Sequence, residues 1–175
     1  MTSIPYPLLL ISIQYVHLYD ARNYGGGAFA ELKVTTQQLQ EALTKAGHSS
    51  IIAKDLDWTS LNFNINGNSM LVETTSSSGG GAAAIVLDGF EGTIQTVLAP
   101  SSAPSSTIHA AFTPDDQSVL LATQQGTIEA FHATTGSALL QQPLTGHTGP
   151  VSALAVNPKY AQFASGCSNT CLWIW

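Results

Sequence analysis

The sequence predicts an all-β fold built from about four propeller blades, and three observations support this prediction. Hydrophobic residues make up 44% of the 175 residues and charged residues only 9%, which is the composition of a globular domain rather than of a disordered tail. Ser and Thr together number 36, and short strands joined by polar turns produce this mixture more readily than a helical bundle does. Strand-like segments also recur at intervals of about 40–45 residues, which is the period of propeller blades.

Two sequence patterns recur along the chain. The first is a short β-prone run that closes on an aromatic or large apolar residue and one further residue, with copies at 16–20, 84–88, 128–132 and 170–174. The second is an apolar strand followed by a polar turn, at 61–67, 110–116 and 154–159. Another strand is predicted after each turn, as at 118–123 and 162–165. Stacked blades explain the repetition, because a four-stranded blade cannot bury both of its faces alone.

The last repeat carries the most specific motif. The motif begins with the pair Gly146-His147, and His147 lies 26 residues before Trp173. Ser165 falls in the predicted strand between them. This set resembles the hydrogen-bond set of WD repeats, in which a loop His, a strand Ser or Thr and a closing Trp tie neighbouring strands together. Asn169 stands where the family has a turn Asp, and the other copies have Tyr, Leu or Phe at the Trp position.

The resemblance narrows to one WD-repeat family. In order and approximate spacing, the segments 16–24, 27–30, 58–63, 147–151 and 163–169 are similar to the C-terminal half of the Swd-two/WD-repeat-protein-eighty-two family, the WD-repeat subunit of the Set1/COMPASS histone methyltransferase. The resemblance implies a WD-repeat β-propeller with about four blades present, as a partial ring. The predicted boundaries are a blade end at 8–24, an insertion at 35–54, and blades at 56–92, 106–136 and 147–175.

A member of this family would have about seven blades. We therefore expect this chain to be a fragment of a full ring, a truncated gene model, a diverged copy, or a chain that closes its ring with another copy or subunit. Two segments are interpreted as surface insertions. In the first, Leu39, Ala42, Leu43 and Ala46 recur at helical spacing and predict a helix over 36–46 that ends at Gly47. The second, 74–81, predicts a flexible loop.

The sequence predicts no catalytic, cofactor or metal site. It contains no Gly-x-Ser-x-Gly nucleophile elbow, and the glycine runs 25–27 and 79–81 lack the Gly-Lys-Ser/Thr of a phosphate-binding loop. Cys167 and Cys171 look like half a zinc site, but a structural zinc site needs four ligands.

A net charge of −6 without Lys and Arg clusters argues against direct nucleic-acid binding. No apolar run approaches the length of a membrane-spanning helix.

The resemblance implies a non-catalytic scaffold subunit of a nuclear Set1/COMPASS-type histone H3 lysine methyltransferase complex. It implies protein partners, among them the phosphorylated tail of RNA polymerase II, with no cofactor, no membrane and no direct nucleic-acid contact. Two alternatives stay open: a subunit of a protein-phosphatase-one or cleavage/polyadenylation complex in transcription termination, and a truncated non-functional copy. An enzyme is a further alternative, disfavoured by the missing catalytic geometry. Arg22 is a candidate partner contact, or else a cap on a neighbouring blade.

Overall fold

The computed structural model describes residues 13–101 and 103–174. Within these ranges the chain forms thirteen β-strands, one α-helix and two short 3-10 helices, at Ala21–Gly26 and Ala53–Asp55. In chain order the main elements are β1 Ile13–Tyr19, β2 Ala28–Thr35, α1 Thr36–Lys45, β3 Leu56–Phe63, β4 Ser69–Ser76, β5 Ala84–Asp88, β6 Ile94–Leu98, β7 Ile108–Phe112, β8 Ser118–Thr123, β9 Thr127–His132, β10 Leu144–Thr145, β11 Ala153–Val156, β12 Gln162–Gly166 and β13 Thr170–Ile174.

The strands form four antiparallel sheets that follow one another along the chain. A two-stranded hairpin, β1-β2, precedes two four-stranded sheets, β3-β4-β5-β6 and β7-β8-β9-β10, and a three-stranded sheet, β11-β12-β13. Each sheet is a simple meander in which sequential strands pair. The predicted all-β partial propeller is therefore confirmed. The second pattern corresponds to the first strands of the three larger sheets, and the first pattern to their third strands, with its copy at 16–20 on β1 of the hairpin.

The sheets differ from the predicted boundaries at their C-terminal ends. The first four-stranded sheet continues to Leu98 and the second to Thr145, beyond residues 92 and 136. Each includes a fourth strand that follows the predicted closing strand, and the repeated patterns carry no signal for this strand. Residues 8–12 of the predicted blade end, and Trp175, lie outside the described residues.

The sheets stack face to face and bury both surfaces of the four-stranded blades. Side chains alternate between the two faces of a strand, so Met70 and Val72 of β4 enter one core cluster while Leu71 enters the next. In β8, Val119 joins the second cluster and Leu120 the third. Burying one such side chain contributes about 1.5–3 kcal/mol. The stacking therefore supplies the apolar partner that a single blade lacks.

The first insertion forms the predicted helix, but the helix is part of the core. It begins after Thr35, whose hydroxyl and backbone form a capping box with Gln38, and the chain turns away at Gly47, whose φ is +87°. Leu39 and Leu43 are only 2% and 0% exposed. The interpretation of 35–54 as a surface insertion is thus wrong for the helix face that carries Leu39 and Leu43. This face packs against β2 and β6 and closes the first core cluster.

The second insertion is shorter than predicted. Residues 74–76 belong to β4, and Thr74 is fully buried. The Thr74 hydroxyl donates to the carbonyl oxygen of Ala83 over 2.7 Å and accepts from the Ala83 backbone N–H over 3.0 Å. These two bonds anchor both ends of the Ser- and Gly-rich loop, so only its tip has the composition and exposure of a flexible segment.

Candidate functional site

The WD-type hydrogen-bond set is assembled in the last sheet. Trp173 Nε1 donates to Ser165 Oγ over 2.7 Å, and Ser165 Oγ lies 2.6 Å from His147 Nε2. Because indole is a donor only, Ser165 accepts from Trp173 and is free to give its own proton to Nε2. We therefore assign the imidazole proton to Nδ1, which faces Asn169 Oδ1 at 3.1 Å. The structure thus brings the three predicted residues together, with Asn169 in the position of the family's Asp.

The glycine of the Gly-His pair has a steric role. A Cβ on Gly146 would lie 2.9 Å from Cη2 of the Trp173 ring and 3.1 Å from its Cζ2. Any larger residue would push the loop away from the indole and pull His147 off Ser165. The ring of Trp173 also stacks on Phe163, with centroids 5.7 Å apart. The set therefore holds the loop before β11 against β12 and β13 and has a structural role.

Two thiols surround the same histidine. Cys167 Sγ lies 3.2 Å from His147 Nδ1 and Cys171 Sγ lies 4.0 Å from it. Hydrogen bonding from the backbone N–H of Asn169 lowers the pKa of the Cys167 thiol to about 6, with smaller contributions from Ser168 and His147. In the described part of the chain, no group of three or more His, Cys, Asp or Glu side chains is arranged to hold a metal ion.

Arg22 lies on the surface and pairs within its own hairpin. Its Nε and Nη2 donate to the two carboxylate oxygens of Asp20, each over 3.0 Å. This hydrogen bonding from Arg22 lowers the pKa of Asp20. The guanidinium is exposed and its charge is already balanced by Asp20. These contacts place Arg22 where a partner could reach it, and they join it to Asp20 rather than to another sheet.

Two carboxylates that join neighbouring sheets were missed by the sequence reasoning. Glu73 on β4 is buried and accepts from the backbone N–H of Ala110 on β7 over 3.0 Å. Asp116, with a φ of 58°, accepts from the backbone N–H groups of Ile65 and Asn66 over 2.8 and 3.0 Å. Asp116 thus reaches the turn of the preceding sheet, and its partners lie 51 and 50 residues away in sequence.

The Glu73 contact makes blade stability depend on pH. His109 Nδ1 lies 3.3 Å from Glu73 Oε2, and hydrogen bonding to Glu73 raises the pKa of His109. A raised folded-state pKa means that the stabilisation is complete below about pH 6.5, the value for an unfolded His, and is lost as the pH rises through the folded-state value. We expect the denaturant midpoint to fall over that interval.

Glu73→Gln is the matched variant for this measurement. It keeps an acceptor for the N–H of Ala110 and removes the charge that stabilises protonated His109. The pH-dependent part of the midpoint should therefore shrink in Glu73→Gln, and also in His109→Asn. An equal pH dependence in all three proteins would contradict the assignment.

A depression with a mixed lining lies where the first strands of three sheets end. This cavity of about 250 Å³ is lined by apolar residues of β3, β7, β11 and the turns after them, and also by the polar side chains of Asn62 and Glu73. Phe63 and Ile65, two of its apolar lining residues, are 55% and 59% exposed. Asp116 fixes the backbone of the turn that carries Ile65. The depression is thus a pre-organised surface that offers exposed apolar side chains to a protein partner.

Comparison with known proteins agrees with this architecture. No family model matches the chain. WD repeat-containing protein 82 of Drosophila melanogaster is 29% identical to it over 166 residues, which are 94% of this chain and 45% of the relative. The chain is thus similar to a WD-repeat protein along almost its whole length. The resemblance predicted from its motifs is confirmed by this similarity, and the chain spans about half the length of the curated relative.

The described part of the chain contains no helix that is long and apolar enough to cross a membrane.

Proposed function

We propose that this WD-repeat chain is part of a non-catalytic scaffold that holds protein partners. The observation that carries the proposal is its similarity to a WD-repeat protein over 94% of the chain. The turns in the structure support it, because side-chain hydrogen bonds fix their backbones before any partner arrives. Asp116 holds 65–66, and Asp88 accepts from the backbone N–H groups of Phe90 and Glu91. Pre-organised turns lose little entropy on binding.

The setting that we propose is a nuclear Set1/COMPASS-type histone H3 lysine methyltransferase complex, linked to chromatin and to the phosphorylated tail of RNA polymerase II. The family-like segments 16–24, 58–63 and 163–169 support it. The second candidate is a protein-phosphatase-one or cleavage/polyadenylation complex in transcription termination, because the same kind of propeller would serve both assemblies. In either setting the chain positions partners while other subunits carry out chemistry.

Affinity purification of the tagged protein from nuclear extract, followed by mass spectrometry, separates these settings. SET-domain methyltransferase subunits among the captured proteins would support the first setting, and phosphatase and polyadenylation factors would favour the second. Capture of chaperones alone would contradict the scaffold proposal and would favour the truncated, non-functional copy.

Substitutions at the depression test which surface the partners use. We expect Phe63→Ser combined with Ile65→Ser to reduce recovery of the specific partners about tenfold, because loss of a central apolar anchor typically costs binding at least about 1.4 kcal/mol. Phe29→Ser is the matched control, since Phe29 is 69% exposed on β2, outside the depression. Circular dichroism should show that both proteins keep the wild-type fold. Equal recovery with the double variant and the control would contradict this location.

Arg22 is proposed as a second contact, and Arg22→Ala in the same purification tests it. Because Asp20 already neutralises the guanidinium, a partner would meet a charge-balanced pair. We expect a smaller loss of recovery than for the double variant, and an unchanged recovery would exclude Arg22 from the interface.

A further inference from the structure

The last sheet contains a cluster of two thiols, an imidazole and an amide that the scaffold role does not use. Three polar atoms converge on Nδ1 of His147: Oδ1 of Asn169 at 3.1 Å, Sγ of Cys167 at 3.2 Å and Sγ of Cys171 at 4.0 Å. Both cysteines are partly exposed. On the other side of the ring, Nε2 is occupied by Ser165. The imidazole therefore joins a surface thiol cluster to the hydrogen-bond set that closes the blade.

The cluster lacks a carboxylate at the position where the WD-repeat set usually has one. Asn169 is neutral and offers only its amide oxygen to the Nδ1–H of His147. Among the described residues, the groups in contact with this nitrogen that can become negative are the two thiols. Cys167 is the nearer, and as a thiol it donates to Oδ1 of Asn169 over 2.6 Å. When it ionises, the donors that face its sulfur are Nδ1–H of His147 at 3.2 Å and the backbone N–H of Asn169 at 3.4 Å, and these two favour the thiolate.

We propose that Cys167 is a modification site at which a thiolate, paired with His147, reacts with peroxide and thereby weakens the hydrogen-bond set of the last blade. The sulfur attacks one peroxide oxygen, an S–O bond forms and the O–O bond breaks. Sulfur is oxidised by two electrons to sulfenic acid, and the departing hydroxide takes a proton from solvent to give water. The oxidised sulfur carries no charge, so His147 loses its anionic partner.

Cys171 is placed to resolve the sulfenic acid. Its sulfur contacts the same imidazole nitrogen, and Cys171 pairs across the hairpin with Ser165, two residues before Cys167 on β12 and its turn. Both sulfurs lie within 4.0 Å of Nδ1 of His147, so the two thiols lie on one side of the sheet. Attack by the Cys171 thiolate would form the S–S bond and release the sulfenic oxygen as water after protonation. The disulfide would draw Cys167 away from His147.

Alkylation with iodoacetamide tests the thiolate in the native protein. Both cysteines lie on the tryptic peptide that follows Lys159, so fragmentation of this peptide in tandem mass spectrometry assigns the label to Cys167 or Cys171. At pH 6 we expect Cys167 to react about tenfold faster than Cys171. This expectation follows from the pKa of about 6 for Cys167 and from the distances to His147 Nδ1, which are 3.2 Å for Cys167 Sγ and 4.0 Å for Cys171 Sγ. The lower nucleophilicity of the more acidic sulfur keeps the ratio modest. The rate at Cys167 should level off above pH 7. Equal rates, or faster labelling of Cys171, would overturn the proposal.

Asn169→Asp is the variant that tests the pairing with His147 without removing a member of the blade network. The titratable groups around Cys167 are His147 and, on the same nitrogen, Cys171. A carboxylate at position 169 would take over the imidazole and repel the thiolate, so half-maximal alkylation should move up by about one pH unit. An unchanged profile would show that His147 and Asn169 do not control this sulfur.

The structural consequence is measured by unfolding the protein in denaturant before and after peroxide treatment. We expect treatment to lower the midpoint in the wild type and in Cys171→Ser, and dimedone to trap the sulfenic acid at Cys167 in the latter. The midpoint of Cys167→Ser should not respond. An equal response in Cys167→Ser would place the oxidation damage elsewhere and overturn the proposal.

Discussion

Leu43→Ala is expected to lower the free energy of unfolding by about 2–5 kcal/mol, the range for Leu truncation in a packed core. Leu43 is fully buried and belongs to the cluster formed by α1, the first hairpin and the first four-stranded sheet. Neighbouring backbone is tied down, because Gln40 donates to the carbonyl oxygen of Ile51 and accepts from the N–H of Ala53. The cavity would therefore collapse only partly, and the cost should lie well inside this range. Denaturant unfolding measures it.

Gln37→Ala is the control on the same helix. Gln37 is exposed and hydrogen-bonds only to the side chain of Glu41 among the contacts described, so the unfolding free energy should change by less than about 0.5 kcal/mol. If Leu43→Ala behaved like this control, α1 would be a surface appendage and not part of the core. That outcome would restore the interpretation of 35–54 as a peripheral insertion.

Ser165→Ala is expected to lower the free energy of unfolding by about 2 kcal/mol. Ser165 is 2% exposed, and its oxygen is shared by Trp173 and His147. Removing it leaves both side chains without this partner, and an unpaired polar group costs about 1–3 kcal/mol when it is fully buried. Trp173 and His147 are only partly buried, so water replaces some of the lost hydrogen bonding. The combined loss of stability therefore lies near the lower end of the range for two such groups. Denaturant unfolding and indole fluorescence follow the change.

Two further substitutions show whether loss of the hydroxyl causes the lower stability of Ser165→Ala. Ser165→Thr keeps the hydroxyl and should recover most of the lost stability. Ser152→Ala removes an exposed hydroxyl with one long bond, 3.3 Å to the carbonyl oxygen of Gly166, and should change stability by less than about 0.5 kcal/mol. Similar losses in Ser165→Thr and Ser165→Ala would indicate that packing around position 165, and not its hydrogen bonds, determines the effect.

Local patterns predicted the strands and turns well for identifiable reasons. The strand predicted at 118–123 coincides with β8, and the helix predicted over 36–46 is realised as Thr36–Lys45. In both cases the signals lie within a few residues of the element: β-branched and apolar residues in the first, and a capping Thr with a terminating Gly in the second. The short strand β10 was not predicted, because it has two residues and too little sequence to show a pattern.

The candidate site also has a part that the sequence predicted and a part that it did not. The repeat motif predicted that His147, Ser165 and Trp173 form one set, since their spacing follows from the strand-turn-strand unit. It did not predict that two thiols also surround His147, because Cys167 lies in the turn after β12, where strand alternation does not fix the direction of a side chain. Nor did it predict the depression, whose lining comes from three different sheets.

The sequence by itself determined the repeat, the strand-turn-strand units and the similarity to a WD-repeat protein. All of these depend on residues close together in the chain, where alternation and turn chemistry act. Only the tertiary structure decided that Leu39 and Leu43 are core, that Glu73 bonds to the backbone of Ala110, and that Asp116 holds the preceding turn. These outcomes depend on which sheet faces pack against each other. Residues 37 and 51 positions apart meet there, and no local pattern encodes such a meeting.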